Sequence, residues 1–590
     1  MHKITLKYFK TIDKDRLQQG TIANTRKLLQ HGVYVKGLPQ LDDEVTNVLL
    51  EMYGFDLQNA NATFYSSYAE RLEKDWIDVV IDRLTHYWSN GLYIPNEVDT
   101  VVNEYVTKHM VTIECVDSVT MKNMINKFVR ESFAIPTSDV DDFVQTLRSY
   151  KIYSVPGNKQ IMIKLATDTG FVIADPHLFF RQLVYLVTDS TELIKSKAVI
   201  DHFDFILSCM STARREKIAA FILVYEEDLG LIDLAKHFRP NKQLWLLLRK
   251  YVISARPTIN KIKRLSEKVH IDHTPETIFD KDESVLREMN IYQLIKVFNY
   301  LQEHVHMNVL ESDNLQLYRI RNGKVFIKEY NAENRTEKAI ELLQSIIMEF
   351  RRRYQGKDVS VYLGGNQASI KMPTSGKNFI GSYPMYTSFP IKANTQVGFY
   401  WDKDKDLDLH AKGIDGSHIG FYSEASRNVV YSGDMVRLNK QGLAAEGMLI
   451  LDPTEGSYAF NMSPFSTRGS KPGYTLFIGD GKVVPKRDGI IHKDQIIFHN
   501  HIESDEPLTF AVSLSDQLVL TNFSIGGFMP DETTSQALIS LVERKELCSL
   551  SLHEFCMFAG IEIVSEKKEN SIDFSMEGIS TNSFIELLAV

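Results

Sequence analysis

Four aspartates alternate with other residues in one short run, directly after an apolar segment. They are Asp402, Asp404, Asp406 and Asp408, and residues 397–401 before them read VGFYW. Because alternate side chains of an extended chain share a face, these negative charges repel one another unless the segment bends or a cation neutralises them. Calcium takes about six to eight oxygen ligands in a flexible geometry, whereas zinc prefers His or Cys. The run therefore indicates a calcium site, with a solvated, charged strand edge as the alternative.

Three short motifs follow the acidic run. They read IDG at 414–416, IGFYS at 419–423 and VVYSGD at 429–434. In this order they resemble the TerD-like domain of bacterial tellurium-resistance and stress-response proteins, with its D-L-D segment, short turn, strand ending in F-Y-N and strand running into H-T-G-D. The resemblance covers residues 390–480 and continues more loosely to the C-terminus.

This resemblance implies a β-sandwich that binds Ca²⁺ between loops. Asp406 and Asp408 match the D-L-D pair, and Asp434 matches the aspartate of T-G-D. Asp404 stands where many family members carry an acid, and Asp402 is a further supporting candidate. The predicted ligand set is therefore these five carboxylates.

The sequence also departs from the family pattern. Tyr431 and Ser432 replace the His and Thr, Ser423 replaces the Asn, and Glu446 is the nearest equivalent of the acidic segment that usually follows. Because the number of charged ligands tunes calcium affinity, these departures imply weaker binding than a full set of acids would give.

Length and composition limit the remaining possibilities. With 590 residues the chain is long enough for about three or four domains. Its four cysteines lie far apart, except that seven residues separate Cys548 from Cys556, and they form no C-x-x-C pattern, which is typical of a reducing cytoplasm. No apolar run reaches the length of a membrane span, so we expect a soluble cytoplasmic protein. A net charge of -9 argues against nucleic-acid binding by the whole surface.

The pattern of apolar residues predicts a multidomain α+β fold. Helical spacing dominates residues 41–307, and a period of two dominates residues 369–528. The predicted parts are an α-helical scaffold at 1–310, a small α/β connector at 311–375, the TerD-like β-sandwich at 376–535 and a C-terminal α/β segment at 536–590.

Finer elements are predicted at both ends of the sandwich. Upstream, we expect a hairpin around Asn322-Gly323, a helix that ends near Gly356 and a strand at 359–363. Downstream elements are a helix at 535–546, strands at 561–564 and 571–575, and a helix at 581–588.

Two histidines form a second possible metal site. His499 and His501 are two residues apart, so their imidazoles share a face if the segment is a strand. A zinc site needs at least one more ligand, for which Glu503 and Asp505 are the nearby candidates. Exposed strand histidines without a metal are the alternative interpretation.

A basic stretch lies in the helical half. Residues 211–270 contain thirteen lysines and arginines against six acids. Such a patch can bind phosphate backbones through counterion release, with Arg249, Lys250, Lys263 and Arg264 as candidate contacts. The alternative, which the sequence favours, is a solvated helix face, because no aromatic RNA-binding motif accompanies the charges.

The functional hypothesis follows from the acidic run and the resemblance. We expect a non-enzymatic calcium-binding protein, because no phosphate loop, nucleophile elbow or Cys-His pairing supports a catalytic assignment. The resemblance implies a role in bacterial stress response, tellurium-type resistance or phage defence, with protein partners or self-assembly. The alternatives are a nucleic-acid-binding helical scaffold and a structural subunit of a larger assembly, such as a phage particle.

Overall fold

A computed structural model describes most of the chain. The described residues are 2–18, 20–37, 40–55, 110–152, 156–190, 197–266, 275–280, 283–309, 316–321, 324–329, 335–401, 406–421, 423, 426–435, 444–466, 473–481, 495–504, 506–524 and 531–589, with 75, 77, 78, 80, 81 and 84. The Asn322-Gly323 turn lies outside them. Among these residues, no helix combines the length and the apolar character that a membrane span requires.

The chain folds into helices that are concentrated in its N-terminal half and strands that are concentrated in its C-terminal half. The helices of the described residues are α1 (His2–Phe9), α2 (Ile22–Gln30), α3 (Asp43–Tyr53), α4 (Ser118–Arg130), α5 (Thr137–Ser149), α6 (Lys159–Thr169), α7 (Pro176–Thr188), α8 (Lys197–Cys209), α9 (Thr212–Asp228), α10 (Ile232–Lys236), α11 (Lys242–Tyr251), α12 (Arg256–Ser266), α13 (Val285–Glu288), α14 (Ile291–Val309), α15 (Thr336–Tyr354), α16 (Glu532–Cys548), α17 (Leu552–Ala559) and α18 (Thr581–Leu588).

The strands form several small sheets and two larger ones. They are β1 (Thr11–Asp13), β2 (Val33–Val35), β3 (Val111–Val116), β4 (Gln316–Arg321), β5 (Lys324–Glu329), β6 (Ser360–Tyr362), β7 (Phe379–Ile380), β8 (Tyr383–Pro384), β9 (Ser388–Pro390), β10 (Thr395–Trp401), β11 (Asp406–Gly413), β12 (His418–Ile419), β13 (Val429–Tyr431), β14 (Ala444–Ile450), β15 (Tyr458–Ser466), β16 (Gly473–Gly479), β17 (Ile496–Glu503), β18 (Leu508–Leu514), β19 (Gln517–Ser524), β20 (Glu562–Val564) and β21 (Ser571–Asp573).

The chain divides into two compact units. The first comprises Met1, Val119–Asp282 and Ser375–Lys377, and the second comprises His2–Ser118, Glu283–Thr374 and Asn378–Val590. The first unit is helical, as the apolar spacing predicts. Its core is built around Trp245, whose ring lies 4.9 Å from that of Phe180 and 6.2 Å from that of Phe238 between centroids.

One part of the predicted helical stretch is wrong. Val111–Val116 forms strand β3, which pairs in parallel with β1 on one side and β2 on the other. This VTIECV segment is short and rich in β-branched residues, which pack well on a pleated surface. Its two partner strands lie far upstream, so their presence could not be inferred from local helical spacing.

The second unit contains two antiparallel sheets. The five-stranded sheet has the order β13-β14-β10-β16-β17, and the six-stranded sheet has the order β12-β11-β15-β18-β19-β9. In each of the strands β10, β14 and β16, all seven residues are buried. These strands therefore do not show the alternation of buried and exposed residues that a period of two predicts. Both faces of the five-stranded sheet are therefore covered.

Segments that are distant in the sequence cover both of the larger sheets. Phe55, two residues after α3, packs on the five-stranded sheet against Tyr400 and Phe477, at ring distances of 5.8 and 6.1 Å. Helix α16 covers the six-stranded sheet, where Leu538 and Val542 join a buried cluster with strand residues of β15, β18 and β19. A helix from the C-terminal part of the chain thus packs on the sheet that contains β11.

The predicted elements on either side of the two larger sheets are confirmed. Strands β4 and β5 pair as an antiparallel hairpin, helix α15 ends before Gly356, and β6 pairs in parallel with β20 and β21. Helix α16 begins at an aspartate cap, where Oδ1 of Asp531 accepts a hydrogen bond from the Thr534 N–H at 2.6 Å. The last helix spans Thr581–Leu588, as the sequence predicts.

Candidate metal centre

Three of the predicted acids meet in the second unit. Asp406 and Asp408 begin strand β11, and Asp434 lies just after strand β13. One carboxylate oxygen from each lies within 4.8 Å of the others. Asp408 is only 5% exposed. A cluster of acids that is largely closed to water thus forms at the end of β11.

Strand register positions the two aspartates of β11. Asp408 pairs with Ser463 of β15, and the register shifts between Asp406 and Leu407. Leu407 and Leu409 are fully buried, as alternate residues on the opposite face from Asp408. Because Asp406 and Asp408 alternate along β11, their carboxylates share the other face and meet at the end of the strand.

A short anchored turn brings Asp434 to the same place. The Ser432 N–H donates to the Gly447 carbonyl at 2.8 Å, and the Gly447 N–H donates to Ser432 Oγ at 2.9 Å. The next residue, Gly433, has a φ of 108°, which an L side chain rarely adopts. The Y-S-G-D segment therefore ends its strand, turns at the glycine and presents Asp434 to β11.

Glu446 ties the two acid-bearing segments together. It lies on β14 and is fully buried. Its Oε2 accepts a hydrogen bond from the Leu409 N–H at 2.6 Å, and its Oε1 accepts one from the Met435 N–H at 2.9 Å. One carboxyl group thus fixes the backbone next to Asp408 and the backbone next to Asp434.

Burial and mutual repulsion both disfavour ionisation of these acids. Burial, followed by the charge of Asp434, raises the pKa of Asp406 to about 7. Burial, followed by Asp406 and Asp434, raises the pKa of Asp408 to about 8, and burial raises the pKa of Asp434 to about 6. For Glu446, burial and then Asp434 and Asp408 raise the pKa well above its ordinary value.

The described residues place no counter-charge beside the first two acids. No described lysine or arginine forms an ion pair with Asp406 or Asp408, and Oδ1 of Asp406 is buried without a hydrogen bond from that part of the chain. Burial and the neighbouring His418 lower the pKa of His410 to about 3, so its ring is neutral. Either protons or a bound cation must therefore relieve the repulsion.

The structure brings together most of the predicted ligand set. Asp406, Asp408 and Asp434 converge, and Glu446 lies beside them. Asp402 and Asp404 lie outside the described residues. The resemblance does not predict the structural roles of Ser432 and Gly433, because in it Ser432 is only a departure from the family pattern. Their signal was the S-G pair immediately before an aspartate, which is typical of a turn.

The predicted nucleic-acid contacts lie on two helices of the first unit. All four side chains are exposed. Arg249 Nε donates to Asn260 Oδ1 at 2.7 Å, and Lys250 forms an ion pair with Asp204 at 3.3 Å. Lys263 and Arg264 lie in the last turn of α12. Nothing in this arrangement tests nucleic-acid binding, which stays a prediction.

Comparisons with known proteins add no relative. No protein-family model matches the chain, and neither the curated proteins nor the solved structures contain a match. The TerD-like resemblance and the activity that it implies therefore stay predictions, supported only by the motif residues and by the geometry of the acids.

Proposed function

We propose that this is a non-enzymatic calcium-binding protein whose C-terminal half contains a TerD-like β-sandwich over about residues 376–535. Asp406, Asp408 and Asp434 bind one Ca²⁺ ion, and Asp402 and Asp404 supply further oxygens from the preceding segment. The observation that carries the proposal is the convergence of three carboxylates, two of which have no cation partner among the described residues.

The donor set suits calcium better than other common ions. All the ligand atoms are carboxylate oxygens, which hard cations prefer, and the set contains no thiolate. Calcium tolerates an irregular shell that water and backbone carbonyls complete, whereas magnesium demands near-ideal octahedral geometry. The bound ion would neutralise the cluster and connect the start of β11 to the turn after β13.

The wider role follows from the resemblance. We infer from it a role in bacterial stress response, tellurium-type resistance or phage defence, and we propose that the protein acts in the cytoplasm through protein partners or self-assembly. In this role the ion stabilises the loops at one end of the sandwich, because a ligand that binds only the folded state stabilises it. At a calcium concentration of 100 times the Kd this stabilisation is about 2.7 kcal/mol.

The test is a calcium titration of the full chain by calorimetry, with the Asp406→Asn/Asp408→Asn double variant beside it. We expect saturable binding in the natural chain and its loss in the double variant. The variant is expected to fold, because it removes two repelling buried charges. Asp452→Asn is the matched control, since Asp452 lies in an exposed turn where it accepts from Thr454.

Two results would contradict the proposal. One is the absence of both binding heat and any calcium-dependent rise in Tm. The other is calcium binding of equal affinity in the double variant and the natural chain, which would place the ion elsewhere. Loss of binding in the Asp452→Asn control would also count against the assignment, because it would show that the loss does not depend on the cluster.

A further inference from the structure

A second group of possible metal ligands lies in the same unit, on a different sheet. His501 and Glu503 are alternate residues of β17, and Glu51 lies in the last turn of α3. One ligand atom from each lies within 4.8 Å of the others, and His501 Nε2 is 3.9 Å from Glu51 Oε1. Three side chains with one nitrogen and two oxygen ligands thus converge.

The packing of α3 on β17 creates this group. Phe55, just beyond the helix, contacts His499 at a ring distance of 5.5 Å, in addition to its contacts with the neighbouring strands. His499 and His501 share the face of β17 on which the helix lies. The predicted same-face arrangement of the two imidazoles is therefore confirmed, but they have different neighbours: His499 packs against an aromatic ring, and His501 faces a carboxylate.

A glycine on the adjacent strand leaves the space that the His501 ring occupies. A Cβ atom built on Gly473 would lie 2.9 Å from both Cε1 and Nε2 of His501, which is closer than real contacts of this kind. In the ladder Gly473 is opposite Glu503, and Thr475 is opposite His501. The imidazole thus lies across the bare backbone of β16, on the diagonal between the two pairs. Only glycine at position 473 permits this position of the ring.

We propose that Glu51, His501 and Glu503 bind a divalent transition-metal ion of the zinc class, with a fourth position open to water. An imidazole with two carboxylates is a donor set that zinc accepts, at metal–ligand distances of about 2.0 to 2.2 Å. Calcium is excluded as the preferred ion because one ligand is a nitrogen.

The geometry requires only a modest contraction. A tetrahedral zinc shell places neighbouring ligand atoms about 3.4 Å apart, whereas the three groups lie within 4.8 Å of one another. Glu51 is partly exposed and Glu503 is exposed, so both carboxylates can rotate towards an ion placed between them and the ring. His501 is less exposed than Glu51, with 22% of its side chain open to solvent against 35%, and its ring lies over the backbone of Gly473.

A simple ion-pair network is the competing explanation. Lys3 Nζ lies 3.2 Å from Glu51 Oε1, and His501 would pair with Glu51 when protonated. Such exposed pairs contribute little to stability and need no metal. The two explanations differ in what Lys3 does. In the metal site its ammonium competes with the ion for Glu51, whereas in the network it is a supporting partner.

The experiment is a Zn²⁺ titration of the full chain by calorimetry, with excess calcium present to fill the aspartate cluster. We expect one high-affinity zinc ion per chain in the natural protein. His501→Ala is expected to lower the affinity at least tenfold, because it removes the only nitrogen ligand, and even outer-shell changes cost about 10- to 100-fold. His553→Ala, on the exposed face of α17, is the matched control and should bind as the natural chain does.

The Lys3→Gln variant makes the test independent of any folding defect at His501. We expect it to bind zinc several-fold more tightly, because Glu51 loses its competing cation. The proposal is overturned if the natural chain binds no zinc, if His501→Ala binds it as tightly as the natural chain, or if Lys3→Gln binds it equally or more weakly. The Asp406→Asn/Asp408→Asn variant should keep this site, which separates it from the calcium proposal.

Discussion

In calcium-free buffer, the aspartate cluster is expected to make the protein less stable as the pH rises from about 5 to 8. The pKa values of Asp406, Asp408 and Asp434 are raised to about 7, 8 and 6, all above the ordinary value of about 3.9. The folded state therefore binds more protons than the unfolded chain over this range, so the free energy of unfolding falls as the pH rises. The contribution is complete below about pH 4 and is lost as the pH rises through these pKa values, the highest of which is about 8.

Paired carboxylates have the opposite effect. The Arg352 and Arg353 side chains lower the pKa of Glu349 to about 2, so its contribution is present above the ordinary pKa and is lost only in acid. The effect of the aspartate cluster is therefore measured by comparing how Tm changes with pH in the natural chain and in a variant that lacks two of its acids. Thermal melts in EDTA should show Tm falling more steeply with pH in the natural chain than in Asp406→Asn/Asp408→Asn, because the variant lacks two of the three titrating groups.

Calcium is expected to cancel this loss. The ion binds the ionised carboxylates, so its apparent affinity rises with pH and its binding releases protons near pH 6 to 7. Melts with saturating calcium should therefore show a gain in Tm that grows from pH 5 to 8 in the natural chain and is absent in the double variant. Superimposable pH profiles of the two proteins in EDTA would show that the acids are not held together as described.

The sequence predicts which acids form the cluster better than it predicts the contacts that position them. Alternation alone puts Asp406 and Asp408 on one face, and this holds because the segment is a strand. Only the resemblance predicts that Asp434 joins them, since nothing local links it to β11. The contact of Glu446 with the Leu409 N–H depends on the way strands of two different sheets approach each other. No spacing rule contains that information.

The wrong predictions for strands β3 and β10 have the same cause. Strand β3 lies between two partners near the N-terminus, and Phe55 from beyond α3 covers β10 at Tyr400, although Phe399 on the opposite face of β10 is buried as well. Local periodicity reports only one buried face, so it fails where a distant segment covers the second. Glu51 was missed as a partner of His501 for the same reason, because the two are joined only by the tertiary fold.

Replacement of Glu446 is expected to give the largest loss of stability among single changes at the site. Each of its oxygens accepts a different backbone N–H, and the side chain is fully buried. Glu446→Ala leaves both donors without a partner, at about 1 to 3 kcal/mol each, and adds a cavity. We expect the free energy of unfolding to fall by roughly 3 to 6 kcal/mol, measured by urea denaturation.

The Glu446→Gln variant tests the hydrogen bonds of this side chain separately from its charge, because glutamine has nearly the same shape but cannot ionise. Both oxygens of a glutamate accept hydrogen bonds whether or not it carries a proton, but a glutamine has one oxygen, and its NH₂ group would face a backbone N–H. We therefore expect a loss of about 1 to 3 kcal/mol even for this near-isosteric change. The matched control is Glu455→Gln, which removes only an exposed ion pair with Arg427 and should change stability by less than about 1 kcal/mol.

The same variant also tests how Glu446 serves the metal centre. It fixes the backbone beside Asp408 and beside Asp434, so its replacement by glutamine is expected to let these carboxylates separate and to weaken calcium binding as well as stability. A glutamine variant with natural stability would mean that the two N–H groups have other acceptors. Lower stability with unchanged calcium affinity would mean that the aspartates keep their positions without this link, and that Glu446 supports the fold alone.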